Sequence, residues 1–311
     1  MNGGDARDGG GSPVPAKVAT APRPAPSTLL EFLKVTTDFL AGKGIDGARL
    51  DAELLLAEAT GLTRTQLYTN FERPLVREEV DRFRELVRRR AAREPVAYIT
   101  GRREFWSIDF VVDRRVLVPR PETELLVELA VDRLKAGGAV EPRVADIGTG
   151  SGAIAVAIAK EVQGARVLAT DRSEAALELA PRNAEAAGVG DRVEFRCGDG
   201  CAALEGRGPF DLVASNPPYV KSGEMAGLEP EVRDWEPRWA LESGADGMGV
   251  TAPLVDAAYD LLVPGGWLLV EVGTQAADVR ACFERRGYEG VSVKRDLAGL
   301  DRVVVGRRPS A

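Results

Sequence analysis

The stretch Ala145-Asp146-Ile147-Gly148-Thr149-Gly150-Ser151-Gly152-Ala153 decides the fold. It follows an apolar strand pattern, Arg143–Ile147, and opens a helical pattern, Ala153–Val162. Glycines let the backbone turn tightly and approach a ligand, and a helix start offers N–H groups that lack intrahelical partners. Asp171 closes the next strand pattern 23 residues after Gly148, where a carboxylate can accept hydrogen bonds from both ribose hydroxyls. Gly148, Thr149, Gly150, Ser151, Gly152 and Asp171 are therefore candidates to bind a nucleoside-bearing cofactor. Gly198-Asp199-Gly200 ends a third strand, and Asp199 with Gly200 is placed to meet an adenine amino group, although a solvated Asp-Gly turn reads the same way.

Outward from this loop, strand and helix patterns alternate. Strands are expected at Arg143–Ile147, Arg166–Thr170, Arg192–Arg196, Asp211–Ser215, Trp267–Val272, Val291–Lys294 and Arg302–Val305. Alternation of this kind implies an α/β, doubly wound, Rossmann-like sheet. The link Asp296–Asp301 is too short for a parallel crossover, so the last two strands should be antiparallel. A seven-stranded, mostly parallel sheet with one reversed strand resembles the class I S-adenosylmethionine methyltransferases.

Ahead of this catalytic domain (120–311), the pattern divides into three parts. Residues 1–26 are rich in Gly, Pro and Ala and read as a disordered extension. Helical patterns fill 27–93: the first has Ser27 as a plausible N-cap and Leu29, Phe32, Leu33, Thr36, Phe39 and Leu40 on one face. Over 94–119, Val96–Ile99, Phe105–Val112 and Val116–Val118 are β-rich, with Gly-Arg and Asp-Arg turns between them, which reads as a β-hairpin connector. Pro181 should kink or stop the helix expected over Ser173–Ala187 near Ala180.

Composition narrows the chemistry. The chain has 311 residues, a net charge of −7 and 29% charged residues, so a broad basic surface for a phosphate backbone is not expected. Without histidine, no imidazole can act as base or metal ligand. Cys197, Cys201 and Cys282 form no CxxC pair and read as free thiols of a cytoplasmic protein, with no metal site. No apolar run approaches a membrane span, and a monomer is expected.

The reaction centre is expected at Asn216-Pro217-Pro218-Tyr219, which ends the strand Asp211–Ser215 at the edge where open α/β sheets bind ligands. The prolines remove backbone donors and leave carbonyls free, Asn216 adds an amide oxygen, and Tyr219 a flat face. A conjugated nitrogen is a poor nucleophile. Two acceptors that grip its hydrogens can orient it toward a methyl donor without a strong base. Asn216, Pro217 and Tyr219 are thus candidate catalytic residues, with Pro218 in the substrate pocket and Asn216 also beside the cofactor. The loop alone also satisfies the dinucleotide fingerprint. Against a dehydrogenase stand the missing histidine and Asp146, which would repel a pyrophosphate but can receive the ammonium end of methionine.

An Asp-x-Gly-Thr-Gly-Ser-Gly loop followed by Asn-Pro-Pro-Tyr resembles several amino-methyltransferases, of protein glutamine, of DNA bases or of ribosomal RNA. The wider set Pro95–Gly101, Phe105-Trp106, Val118–Glu124, Glu236-Pro237, Ala240-Leu241, Asp246-Gly247 and Glu271-x-Gly273 resembles the HemK family of release-factor glutamine methyltransferases across about residues 28–307. The resemblance implies S-adenosylmethionine as methyl donor. It implies as substrate the glutamine amide in the Gly-Gly-Gln motif of peptide chain release factors, which would dock on the helical domain. A DNA or RNA amino-methyltransferase, a ribosomal-protein glutamine methyltransferase and a non-catalytic cofactor binder remain alternatives. Arg120 and Glu122 read equally as a surface ion pair or as part of the site, and Trp235 with Trp239 as core or lid packing rather than a substrate wall.

Overall fold

A computed structural model of the chain describes residues 26–310, so the extension read over 1–26 lies, apart from Pro26, outside the described residues. Helices α1 (Leu29–Gly42), α2 (Ala48–Thr60), α3 (Arg64–Thr69) and α4 (Arg77–Ala91) bury Leu33, Leu55, Leu56, Leu67 and Phe83 among themselves. Thr28, not Ser27, caps α1: its hydroxyl accepts from the Glu31 N–H, and Glu31 Oε2 accepts from Thr28 N at 3.2 Å. Phe39, expected on the buried face, is 46% exposed.

Val96–Ile99 is not a strand but most of helix α5 (Val96–Thr100), entered from Pro95 and ended by Gly101 at φ 73°. Burial overrides the β preference of these residues. Successive helical side chains point about 100° apart, which lets α5 serve two cores at once. Ile99 enters the helical core, while Tyr98 enters the core under the sheet and donates to the Val116 carbonyl at 2.6 Å. The hairpin itself is β1 (Arg102–Phe105) and β2 (Ile108–Val111), turning at Trp106-Ser107 with φ of 54° and 56°. That turn lies inside what reads as one strand, because neither residue carries the usual Asn-Gly signal. Glu124 Oε1 accepts from the Trp106 N–H and Glu161 Oε1 from its indole, both at 2.9 Å. Val116–Val118 forms no strand.

The main sheet runs β5-β4-β3-β6-β7-β9-β8. Its strands are β3 (Arg143–Ile147), β4 (Arg166–Asp171), β5 (Val193–Cys197), β6 (Phe210–Ser215), β7 (Leu262–Glu271), β8 (Glu289–Arg295) and β9 (Asp301–Arg307). Only β9 is reversed, pairing antiparallel with both neighbours. Alternate strand residues face opposite cores. Val144, Val167, Leu212 and Leu269 meet α6 (Glu124–Gly137) and α7 (Ala153–Glu161), whereas Ala145, Leu168, Val213 and Leu268 meet α11 (Thr251–Leu261) and α12 (Ala276–Arg286). The helix expected over Ser173–Ala187 is broken as Pro181 requires, into α8 (Glu174–Leu177) and α9 (Ala180–Ala186). Short α10 (Pro230–Arg233) belongs to the segment that follows β6.

Strand order reverses between β3 and β6, so a crevice opens beyond their carboxyl ends. The glycine loop leaves β3 on one side of it, and Asn216 leaves β6 on the other. Ser215 Oγ donates to the Ile147 carbonyl at 2.7 Å and pins the two strand ends together.

Candidate active site

A cavity of about 760 Å³ fills this crevice. Gly148, Gly150, Asp171, Asp199, Gly200, Asn216, Pro217 and Pro218 line it; Thr149, Ser151, Gly152 and Tyr219 do not. Gly148 and Gly150 sit at φ 75° and 56°, and a Cβ at either would meet no protein atom within 4 Å. Their side of the loop is therefore open, with the chain held in a conformation that favours glycine.

The loop is held from below. The Thr170 carbonyl accepts from the N–H groups of Gly148 and Thr149 at 2.8 and 2.9 Å. Asp171 Oδ2 accepts from the Gly150 N–H at 2.8 Å, and its Oδ1 from the Ser173 N–H at 2.9 Å. Burial holds the Asp171 carboxyl above the usual range, against those two bonds. Asp146 does not face the cavity as expected. It is wholly buried; its Oδ2 accepts from Thr149 Oγ1 at 2.6 Å and from the Ala155 N–H at 3.1 Å, so it secures the start of α7. Burial pushes its carboxyl up to about 7. Thr149 and Ser151 are likewise buried behind the loop.

Asn183 was not legible in the sequence. Only 1% exposed, it bonds both the N–H and carbonyl of Val111 and donates to the Ser151 carbonyl at 2.9 Å, joining the hairpin edge to the loop. A buried amide must satisfy its polar atoms, but nothing local says with what.

On the β6 side, Asn216 Nδ2 donates to Thr123 Oγ1 at 3.2 Å, and Asn216 Oδ1 accepts no bond from the described residues. The Pro217 carbonyl also has no donor there. Tyr219 lies just outside the cavity lining, packed flat enough on Gly273 that a Cβ there would be 2.9 Å from Tyr219 Cδ2. Its hydroxyl is shifted upward by burial and then by the nearby Glu271 charge. Glu271, at the end of β7, is 1% exposed; burial pushes it up to about 7, partly offset by the Thr123 hydroxyl.

The Arg120 guanidinium pairs with neither Glu122 nor solvent alone. Its Nη2 donates to both oxygens of Glu236 at 2.7 and 2.8 Å, and the Glu236 side chain is 1% exposed. This ties the start of α6 to the segment that follows the tetrapeptide. The two tryptophans divide: Trp235 packs on the core under Arg114, and Trp239 lines the cavity mouth.

A cavity of this size, with the carboxylates of Asp171, Asp199 and Glu242, an open glycine turn and apolar Ile147, Pro253 and Leu254, fits a nucleoside with an apolar-edged base. Comparison with known proteins identifies the family. Family models match at residues 31–101 (PrmC N-terminal domain) and 122–228 (Methyltransferase small domain). The release factor glutamine methyltransferase of Geobacter sulfurreducens is 46% identical over 281 residues, covering 90% of this chain and 96% of that protein. The chain belongs to the release factor glutamine methyltransferase family. That of Rhodopirellula baltica is 44% identical over 283 residues, again covering 90% and 96%. Among solved structures, the hMettl16 catalytic domain in complex with MAT2A 3′UTR hairpin 6 aligns with TM-score 0.55 and 16% identity over 71% of this chain and 81% of that one, a likeness of fold. For a methyltransferase of this family the methyl donor is S-adenosylmethionine, and no helix among the described residues is long and apolar enough to cross a membrane.

Proposed function

We propose that this enzyme methylates the side-chain amide nitrogen (N5) of the glutamine in the Gly-Gly-Gln motif of peptide chain release factors, acting as a cytoplasmic monomer. The observation that carries the reading is a pair of free acceptors, Asn216 Oδ1 and the Pro217 carbonyl, at the rim of a nucleoside-sized cavity. A primary amide presents two N–H hydrogens in one plane, and two fixed acceptors can hold both. Held so, the nitrogen is set in a single attitude toward the cavity before reaction. S-adenosylmethionine, when bound, supplies an electrophilic methyl group on a sulfonium. Gly148, Gly150, Asp171, Asp199 and Gly200 would hold it, with Asp171 toward the ribose hydroxyls and Asp199 toward the adenine amino group. Thr149, Ser151 and Gly152 would act by shaping the loop. Tyr219 and Pro218 would wall the amide's pocket.

The acceptors lower the positive charge that grows on nitrogen as it bonds to carbon, and the nitrogen's surplus proton leaves to solvent. No strong base is needed, which suits a chain without histidine. Incubation of the protein with a release factor and methyl-labelled S-adenosylmethionine tests the reading. One methyl group on the glutamine of the Gly-Gly-Gln peptide is expected. Label confined to nucleic acid, or to a ribosomal protein, would overturn it.

A further inference from the structure

Helices α1–α4 meet the catalytic domain through few polar groups. Among the described residues, the hydrogen bonds and ion pairs that run directly between 27–93 and 120–311 all end on one carboxylate, Glu231 of α10. Arg90, 5% exposed near the end of α4, donates from Nη2 to Glu231 Oε1 at 2.8 Å and from Nε to Asp51 Oδ2 of α2 at 2.6 Å. Arg93 holds its Nη2 2.8 Å from Glu231 Oε2, as a charge contact rather than a directed hydrogen bond. Two guanidiniums and two carboxylates thus balance one another across the domain boundary. Arg93 sits at φ 69°, just past α4, where a Cβ is strained and glycine is the usual residue. The far end of its side chain is in use: Nη1 donates to the Gly44 carbonyl at 2.7 Å, and Nη2 meets Glu231. On the other side, α10 has no fully buried side chain of its own. It lies in the segment that leaves the tetrapeptide, where the Val220 N–H donates to the Leu241 carbonyl at 2.8 Å and Glu236 is held by Arg120. Directed ionic bonds fix an angle between two bodies, whereas apolar contact is non-directional.

We propose that Glu231, gripped by Arg90 and Arg93, is a positioning residue that sets the angle between the helical domain and the reaction centre, so that a protein held on the first brings its glutamine to the second. The inference rests on the reading that a release factor is the substrate and spans both domains. Glu231 does not line the cavity, so the transfer step itself does not involve it. Its work is done when the large substrate docks: two contact areas on one rigid partner can be engaged together only if the areas that receive them are held at one fixed angle.

Glu231→Gln keeps the side chain's shape but removes the charge on which both guanidiniums converge. It should raise KM for an intact release factor by about tenfold, with kcat and S-adenosylhomocysteine affinity held within about twofold. Arg93→Gly separates docking from folding. It relieves the left-handed strain, so its urea midpoint should stay near that of the unsubstituted protein while KM rises in the same direction. A merely structural role predicts instead that KM follows stability and that kcat falls with it; that pattern, or KM unchanged in both variants, would overturn the inference. A readout that needs no substrate separates it from the proposed function: the backbone ¹⁵N residual dipolar couplings of the full chain. In the unsubstituted protein, α1–α4 and the main sheet should fit a single alignment frame, and in Glu231→Gln they should require two. A single frame for both proteins, or two frames already in the unsubstituted one, would sink the clasp even if the glutamine is methylated. One frame that splits in Glu231→Gln, with no methyl group on the release factor, would count against the substrate alone. Should Glu231→Gln not fold, Arg93→Gly decides through the same KM, urea and coupling measurements.

Discussion

The glycine side of the cavity is assembled from residues 146–173, whereas the asparagine side draws together Arg120, Thr123, Asn216, Tyr219, Glu236, Glu271 and Gly273. In the first, nearly every stabilising bond ends on backbone within one β-loop-α unit and the strand beside it: Thr170 and Asp171 hold the loop, Asp146 the helix. In the second, side chains bond side chains from three separate segments, as far as 116 positions apart. A wall made of local backbone can be altered at one point with confined effect, which on the proposed reading falls on cofactor affinity. One made of distant side chains couples turnover to folding, since each partner is held by another.

The comparison breaks most directly at Asn216. Asn216→Ala should lower kcat for methyl transfer by about 10²- to 10³-fold, the usual cost of one fixed polar contact to a reacting centre, with cofactor dissociation constant changed by no more than about threefold. Asp171→Ala should do the reverse, weakening cofactor binding by about 10- to 100-fold with a smaller effect on kcat at saturation. Calorimetric titration with S-adenosylhomocysteine beside single-turnover kinetics reads both. Equal loss of affinity in the two variants would mean that the walls are not separable.

Stability separates the walls next. Arg120→Ala leaves the Glu236 carboxylate buried without its partner. Removing one member of a buried pair costs about 3–5 kcal/mol, and the half-open Arg120 side reduces this to roughly 2–3 kcal/mol. Urea unfolding should show the midpoint fall, and Arg120→Lys should recover only part, as an ammonium cannot match the two-oxygen contact. A loss below about 0.5 kcal/mol would return the pair to the status of an ordinary surface contact.

The same division explains what the sequence disclosed. Each of the seven strands lies where its apolar run is, and the reversal of β9 follows from the short Asp296–Asp301 link, because periodicity and connection length are local properties. The loop and tetrapeptide were visible as glycines and prolines with restricted conformations. Thr123 stood within a quoted motif yet gave no sign of contact with Asn216, since their meeting depends on where α6 begins relative to the end of β6. Asn183 was silent for the same reason, and Asp146 misled because its burial against α7 cannot be read from a carboxylate's place in a loop. In Val96–Thr100, β-branched residues form a helix because Tyr98 and Ile99 are claimed by two different cores.

A smaller effect tests how tightly the asparagine wall is packed. Gly273→Ala places a Cβ 2.9 Å from the Tyr219 ring, closer than real contacts allow, so the ring must shift. Overpacking of this kind costs about 1–3 kcal/mol, but a ring at the cavity's edge can move, which points to the lower end. The expected signature is a rise in KM for the release factor of about tenfold with cofactor affinity unchanged. An unchanged KM would remove Tyr219 from the substrate's pocket and leave it a packing residue.

The hairpin offers the smallest effect, because its bond to the glycine loop runs through Val111 and Asn183, while Trp106 meets α6 and α7 at Glu124 and Glu161, neither of which lines the cavity. Ser107 is exposed at φ 56°, a region where a Cβ is strained and glycine is not. Its hydroxyl makes no hydrogen bond among the described residues, so Ser107→Gly removes strain and loses no contact. Glycine also adds freedom to the unfolded chain, which takes back part of the gain. The net should be a stabilisation of about 0.5 kcal/mol, seen as a small rise in Tm, with both KM values and kcat unchanged. If turnover moved instead, strain in the Trp106-Ser107 turn would be transmitted through Asn183 to the glycine loop, and the local character of that wall would have to be given up.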